Sequence, residues 1–246
     1  MGASNPTLGR HAARLGAVAL ALVSLSGCQS IDVNSSNAAQ LRMIDASSDV
    51  PGLDFYENNN AALAYNLGFG TVTSYVPMNP GAYTISAESA GTRTTLVATS
   101  ASLAAQKTYT ALVGNVDANL QETILQDQNQ PAPSGEIAVR FLDQATKVGA
   151  IDVYLIPSGG SLMNTAALVT NINFQGNTGY INIPAGTYAI AVVPTGTVPV
   201  STTTTLLTGS QVGYTAGAVR TVVFIDVKVT TTPAVQAVIA DDYDTP

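Results

Sequence analysis

The chain has 246 residues, 46% hydrophobic and only 10% charged, with 16 acidic against 9 basic residues and a net charge of −7. That balance argues against a nucleic-acid binder, which needs a basic surface to displace phosphate counterions, and disfavours electrostatic docking onto anionic lipid. One cysteine (Cys28), one histidine (His11) and no tryptophan exclude an intrachain disulfide, a Cys/His zinc site and a histidine-based catalytic triad.

Residues 1–27 read as a secretory signal. Arg10 and Arg14 form a positive n-region, and Leu15 to Leu25 is an uncharged apolar run. The run is too short to cross a bilayer, which takes about 20 helical residues, and fits the h-region of a signal peptide. Leu25-Ser26-Gly27-Cys28 follows and resembles a bacterial lipobox. The resemblance implies cleavage before Cys28, acylation of that cysteine, and a membrane held through lipid alone. Two or more acyl chains, at about 0.8 kcal/mol per buried CH2, anchor stably. Gln29 in place of Asp points, by the same resemblance, to the outer membrane. Cleavage removes His11 and two arginines, leaving a mature chain with no histidine and a net charge of −9. Residues 28–39 are polar and aperiodic, and are expected to form a flexible tether.

Beyond the tether the sequence repeats. Arg42, Asp45, Asp54 and Tyr56 fall on Arg140, Asp143, Asp152 and Tyr154 at an offset of 98. Tyr75, Gly81 and Tyr83 fall on Tyr180, Gly186 and Tyr188 at 105. Thr108 to Val113 aligns with Arg220 to Ile225 at 112, and Glu122 to Asp127 with Gln236 to Asp241 at 114. A growing offset implies loop insertions in the second half, with Gly159-Gly160 and Thr195 to Pro199 as sites. Gln128 to Gly135 carries Pro131 and Pro133 and little to pack, so a boundary is expected there. The reading is domain 1 over 40–130, a linker over 131–135, domain 2 over 136–242 and a solvated acidic tail over 243–246.

Short apolar and β-branched runs between turn formers predict about seven strands per half. Thr221 to Val227 has the pattern of a strand buried on both faces. Gly81 and Gly186 are expected to supply a left-handed turn before Tyr83 and Tyr188. Each of these tyrosines is placed to bond backbone as a tyrosine corner. Ala61 to Tyr65 and Ser100 to Ala105 are candidates for short helical turns. The fold class expected is all-β, two tandem antiparallel immunoglobulin-like sandwiches. The Arg-x-x-Asp-Ala-Ser-x-Asp-x-Pro-x-x-Asp-x-Tyr opening from Arg42, Phe69 to Tyr75, and Pro80 to Tyr83 resemble domain-of-unknown-function family 4397. That resemblance implies a bacterial exported protein, often a lipoprotein, with tandem sandwich domains. It implies no catalytic residue. In the second half Gln144 to Gly149 replaces the Ala-Ser-x-Asp-x-Pro turn.

The repeated aspartates are the candidate site. Asp45 with Asp54 has the residue type of a glycosidase pair, and Asp45, Asp49 and Asp54 together offer oxygen ligands for calcium. The competing reading is structural: Asp45 accepts backbone N–H groups in the turn, and Asp54 pairs with Arg42 or caps a strand. Duplication favours structure, because an enzyme needs one site rather than two. Among the tyrosines, Tyr65, Tyr75, Tyr180 and Tyr214 are candidates for an exposed carbohydrate-facing ring. No catalytic residue, metal or cofactor is expected. The function expected is that of a lipid-anchored, non-enzymatic envelope protein with a structural, adhesive or assembly role. The alternative is a module binding polysaccharide or calcium at sandwich-end loops, and a hydrolase is more remote. Expected partners are the membrane, an envelope protein or a polysaccharide, and not nucleic acid.

Overall fold

Runs rich in Val, Ile, Thr and Tyr, punctuated by Gly, Pro and Asn, pair as strands throughout. The computed structural model describes residues 1–2, 37–200, 205–228 and 234–244, and those from 37 onward belong to one compact unit. The signal segment, the lipobox Leu25 to Cys28, the tether as far as 36, and the threonine runs at 201–204 and 230–232 lie outside the described residues.

The first half holds β1 (Ala39–Asp45), β2 (Leu53–Glu57), β3 (Ala61–Leu67), β4 (Thr71–Val72), β5 (Val76–Met78), β6 (Gly81–Ser89), β7 (Thr94–Leu103), β8 (Thr108–Gly114) and β9 (Gln121–Asp127). The second holds β10 (Glu136–Asp143), β11 (Ile151–Pro157), β12 (Val169–Ile172), β13 (Asn177–Pro184), β14 (Gly186–Pro194), β15 (Leu207–Tyr214), β16 (Val219–Asp226) and β17 (Val235–Tyr243). In the first half a sheet β3-β2-β6-β7 faces a sheet β4-β1-β8-β9, with β5 also on β1. In the second, β12-β11-β14-β15 faces β13-β10-β16-β17. Pairing is antiparallel except for one parallel pair in each half, β1 with β8 and β10 with β16. The molecule is thus all-β, two tandem immunoglobulin-like sandwiches.

Alternation along the central strands decides the layering. Leu41 and Met43 of β1 enter the first core, where they meet Leu53, Phe55 and Ile85. Phe141 of β10 and Phe224 of β16 enter the second, their rings stacked at 5.8 Å. The opposite faces of the same strands form a third apolar layer. Ile44 and Leu112 of the first half pack there with Leu142, Val223 and Ile225 of the second. Four sheets are therefore stacked with three cores. β1, β8, β10 and β16 are buried on both sides, as the Thr221 to Val227 pattern predicts.

Several expectations change. Among the described residues nine and eight strands stand where about seven per half were expected, and Ala61 to Tyr65 and Ser100 to Leu103 are strand rather than helix. β2 and β6 supply ladder partners, and pairing outweighs the helix propensity of alanine-rich runs too short to nucleate. The segment between the halves is tied down: Ala132 is buried against Ala138 and Val219, and its N–H donates to the Gly217 carbonyl at 3.0 Å. Tyr243 ends β17 rather than beginning a tail, and Asp242 is buried. Gly81 and Gly186 are absent from the left-handed residues. Their use is space, since a Cβ on Gly186 would stand 3.3 Å from the Tyr188 ring.

Both tyrosine corners form. The Tyr83 hydroxyl donates to the Asn79 carbonyl at 2.8 Å, and the Tyr188 hydroxyl to the Pro184 carbonyl at 2.9 Å. Tyr83→Phe and Tyr188→Phe should each cost about 1 kcal/mol and add in the double variant, because they sit in separate sandwiches. Urea denaturation checks this; a neutral Tyr188→Phe would count against the corner.

Candidate functional site

The repeated arginines lie where β-alternation turns them away from their own cores, into the layer between the halves. A guanidinium with 2% exposure, as at Arg42, needs a carboxylate and further acceptors to be tolerated. Each arginine hydrogen-bonds a carboxylate of the other half, and Asp127 also lies 3.8 Å from Arg42 of its own half. Arg42 donates through Nη2 to Asp242 and through Nη1 to the Asp241 carbonyl at 2.8 Å. Arg140 donates through Nη2 to Asp127 and through Nη1 to the Gln126 carbonyl at 3.2 Å. Nε of each meets a threonine of its own half, Arg42 at Thr110 (2.9 Å) and Arg140 at Thr221 (3.0 Å).

The carboxylates are equally occupied. Asp127 accepts from Tyr75 at 2.8 Å and Thr110 at 2.7 Å. Asp242 accepts from Tyr180 at 2.9 Å and Thr221 at 2.7 Å. Each tyrosine ring also lies under an arginine, Tyr75 at 4.8 Å from Arg42 and Tyr180 at 4.7 Å from Arg140. The two clusters are copies related by exchange of halves. Burial acts to lower the Arg42 pKa, and Asp242 and Asp127 more than offset it. Burial raises Asp242, with Arg42 pulling the other way. Burial and nearby carboxylates push the Tyr75 and Tyr180 hydroxyls well above their ordinary range. Every one of these groups is engaged in holding another. The chemistry of the cluster is cohesion.

The aspartates singled out in the sequence serve locally. Asp45 accepts the Ser47 N–H at 2.9 Å, and Asp143 the Ala145 N–H at 2.9 Å. Asp49 accepts the Asp117 N–H at 3.0 Å. Asp54 does not pair with Arg42. Its oxygens accept the N–H groups of Asn66 (2.7 Å) and Gly91 (2.9 Å), pinning two loops. Asp152 does the same for Asn171 and Gly196. Among the described residues no three acidic, histidine or cysteine side chains converge as a metal-holding group. In the altered turn of the second half the pin has moved: Asp226, at the end of β16, accepts from Thr146 and Lys147.

Sequence reading paired Asp127 with Asp241. The structure pairs it with Asp242, because Leu125 opposite Thr110 corresponds to Ala240 opposite Thr221, an offset of 115 rather than 114. Asp241 faces outward to Arg220 at 2.7 Å. The β8–β16 offset is likewise 111, since Arg42 lies opposite Thr110 and Arg140 opposite Thr221. The signal available was an arginine among apolar neighbours in each half, which demands a buried acid somewhere. Tyr75 and Tyr180, read as exposed candidates, are half-buried on those arginines.

Fold and junction define a tandem sandwich protein whose halves are joined by reciprocal ion pairs. Residues 39–154 match the family described as Domain of unknown function (DUF4397). The match runs past the first sandwich through β10 and into β11, and takes in both arginines and Asp127. No curated protein matches the chain. Among solved structures, the TIE protein of Bacillus anthracis aligns at 10% identity and TM-score 0.26, over 77% of this chain and 34% of that one. This chain therefore spans about a third of the length of that protein. The CBMbc module (family CBM26) of Eubacterium rectale Amy13K, solved with maltoheptaose, aligns at 10% identity and TM-score 0.24, over 85% and 98%.

Two measurements test the junction. Arg42→Met strands a buried carboxylate and should cost about 3–5 kcal/mol. A double-mutant cycle with Asp242→Asn should return a coupling above about 1 kcal/mol; coupling near zero would refute the exchange. A second test is by pH. Oδ2 of Asp45, Oδ2 of Asp143 and both Glu122 oxygens are buried and accept no hydrogen bond among the described residues. Burial pushes Asp45 up to about 7, Asp143 to about 6 and Glu122 to about 8. Carboxyls in the unfolded chain titrate near 4. The folded state therefore holds protons the unfolded chain releases, and stability falls as pH rises from about 4 through about 8. The melting temperature should be higher at pH 5 than at pH 8.5, with a smaller drop in an Asp45→Asn/Asp143→Asn variant.

Proposed function

We propose that this is a lipid-anchored cell-envelope protein whose folded part is a rigid, non-enzymatic spacer or assembly module. One observation carries the module reading: the halves are locked by Arg42–Asp242 and Arg140–Asp127 around a shared apolar layer. Two domains on a free linker move independently; two domains exchanging buried charges through a common core move as one. The repeated polar residues, which a duplicated catalytic or calcium site would need, serve in that lock and in loop pins.

The anchor reading is supported by the apolar run from Leu15 to Leu25, the Leu25-Ser26-Gly27-Cys28 tetrapeptide and the single cysteine. Among the described residues no helix is long and apolar enough to cross a membrane. Gln29 supports sorting to the outer membrane. The proposal places the stack on the membrane by acyl chains on Cys28, at the periplasmic face or cell surface, with envelope proteins or polysaccharide as partners.

Cys28→Ser tests it. Cells grown with labelled palmitate should label the parent protein and not the variant, and the variant should move from the membrane to the soluble fraction. Palmitate on the variant would exclude Cys28 as the acceptor.

A further inference from the structure

Comparison of the two halves with each other exposes one difference in the outer faces of the stack. In the second half, Tyr154, Ala191 and Val193 point outward from β11 and β14 and are buried beneath Leu162 and Ala167 of the connection from β11 to β12. Strand register matches Tyr154 and Ala191 to Tyr56 and Ser86, and Asp152 and Val193 to Asp54 and Glu88. In the first half, therefore, an apolar covered face has become a polar one. The long connection is gone too: β2 and β3 are joined by Asn58-Asn59, both left-handed (φ 48° and 55°), with the Asn60 N–H donating to the Glu57 carbonyl at 2.8 Å. This is a tight hairpin turn that asparagine accommodates.

What stands on the open face is ordered. Tyr65 of β3 is 69% exposed. Its ring is braced edge-on by Tyr56 at 6.1 Å, and the Arg93 guanidinium lies 3.8 Å over Tyr56. Arg93 is neutralised by Glu88 at 3.3 Å and donates to the Asn59 carbonyl at 2.7 Å. Asn58 and Asn59 use their side-chain oxygens on Thr84 and Ser86. Next along β6 lies a shallow hollow of about 380 Å3, bordered by Asn58, Thr84, Ser100 and Ser102. Further along β6, Ser86 and Glu88 are buried beneath Asn59 and Arg93 and floor the tyrosine pair rather than reaching solvent.

We propose that the outer face of the first sandwich binds an uncharged polysaccharide, with Tyr65 stacking on a sugar ring and the hollow receiving the next units. Glu88 matches Arg93, and the Asp54 carboxylate is buried and held by the N–H groups of Asn66 and Gly91, so the exposed part of the face favours neither an anionic nor a cationic partner. It offers what a polyol needs: a flat apolar ring for the C–H face of a pyranose, and hydroxyls and carboxamides for its O–H groups. The ring is pre-positioned by Tyr56, which lowers the ordering cost of binding. This site lies on a sheet face, away from the sandwich-end loops that sequence reading favoured, and does not depend on the lipid anchor.

The test is native gel electrophoresis of the detergent-solubilised full chain through gels containing amylopectin, laminarin, xyloglucan or galactomannan, with polygalacturonate as the charged control. Retardation by at least one uncharged polymer is expected. Tyr65→Ala should weaken it at least tenfold with an unchanged melting temperature, while Tyr65→Phe should retain it. Ser100→Arg, which fills the hollow and leaves Tyr56 and Tyr65 in place, should weaken it independently. Retardation by none of the neutral polymers, by polygalacturonate alone, or equally for the parent, Tyr65→Ala and Ser100→Arg proteins would overturn the proposal.

Discussion

A buried guanidinium is the constraint from which the junction follows. Arg42 and Arg140 sit on central strands with apolar neighbours on both sides, and the aspartate hydrogen-bonded to each comes from the other half, while Asp127 of Arg42's own half stands off at 3.8 Å. Taking such a cation out of water costs several kcal/mol unless a carboxylate and other acceptors replace the lost hydration. Those acceptors arrive only when the two sandwiches stack and β9 and β17 bring Asp127 and Asp242 across. Charge satisfaction and burial of the third apolar layer are therefore the same event. Hydrogen bonds from Thr110, Thr221, Tyr75 and Tyr180 fix the orientation of each carboxylate, giving the seam a single register where apolar contact alone would tolerate sliding.

Duplication gave the chain two copies of every local device, and divergence shows which devices were free to change. The arginine, its threonine, its tyrosine and the aspartate at the end of the last strand are kept in both, because each copy completes the other. Pins outside the seam have drifted: Asp49 holds the turn of the first half, and Asp226 that of the second. The outer faces have diverged most. One is sealed by Leu162 and Ala167; the other displays Tyr65 over Tyr56 and Arg93. The outermost sheets touch no further layer among the described residues, so nothing in the stack restrains their chemistry.

Local rules were legible wherever neighbours in sequence make the structure. The strands, the tyrosine corners and the turn role of Asp45 all depend on contacts within a few residues. Errors arose where distant partners decide. Ala61 to Tyr65 reads as helical until β2 offers a ladder. Gln128 to Gly135 reads as a free linker until Gly217 accepts the Ala132 N–H. Tyr243 reads as the start of a solvated tail until Val219 of β16 offers it a ladder partner, which carries β17 past the inward-facing Asp242.

Composition, periodicity and the 98-residue repeat were sufficient by themselves to determine an all-β chain built twice, with an arginine and a tyrosine retained in each copy. These properties are local or additive, so they survive in one dimension. Which aspartate meets which arginine, that the halves are joined face to face, and which tyrosines stay in water were decided only by tertiary structure. Each depends on which face of a strand a residue occupies once sheets stack, and a one-residue change of register exchanges the faces, or an added loop covers one, without altering the pattern that announces the strand.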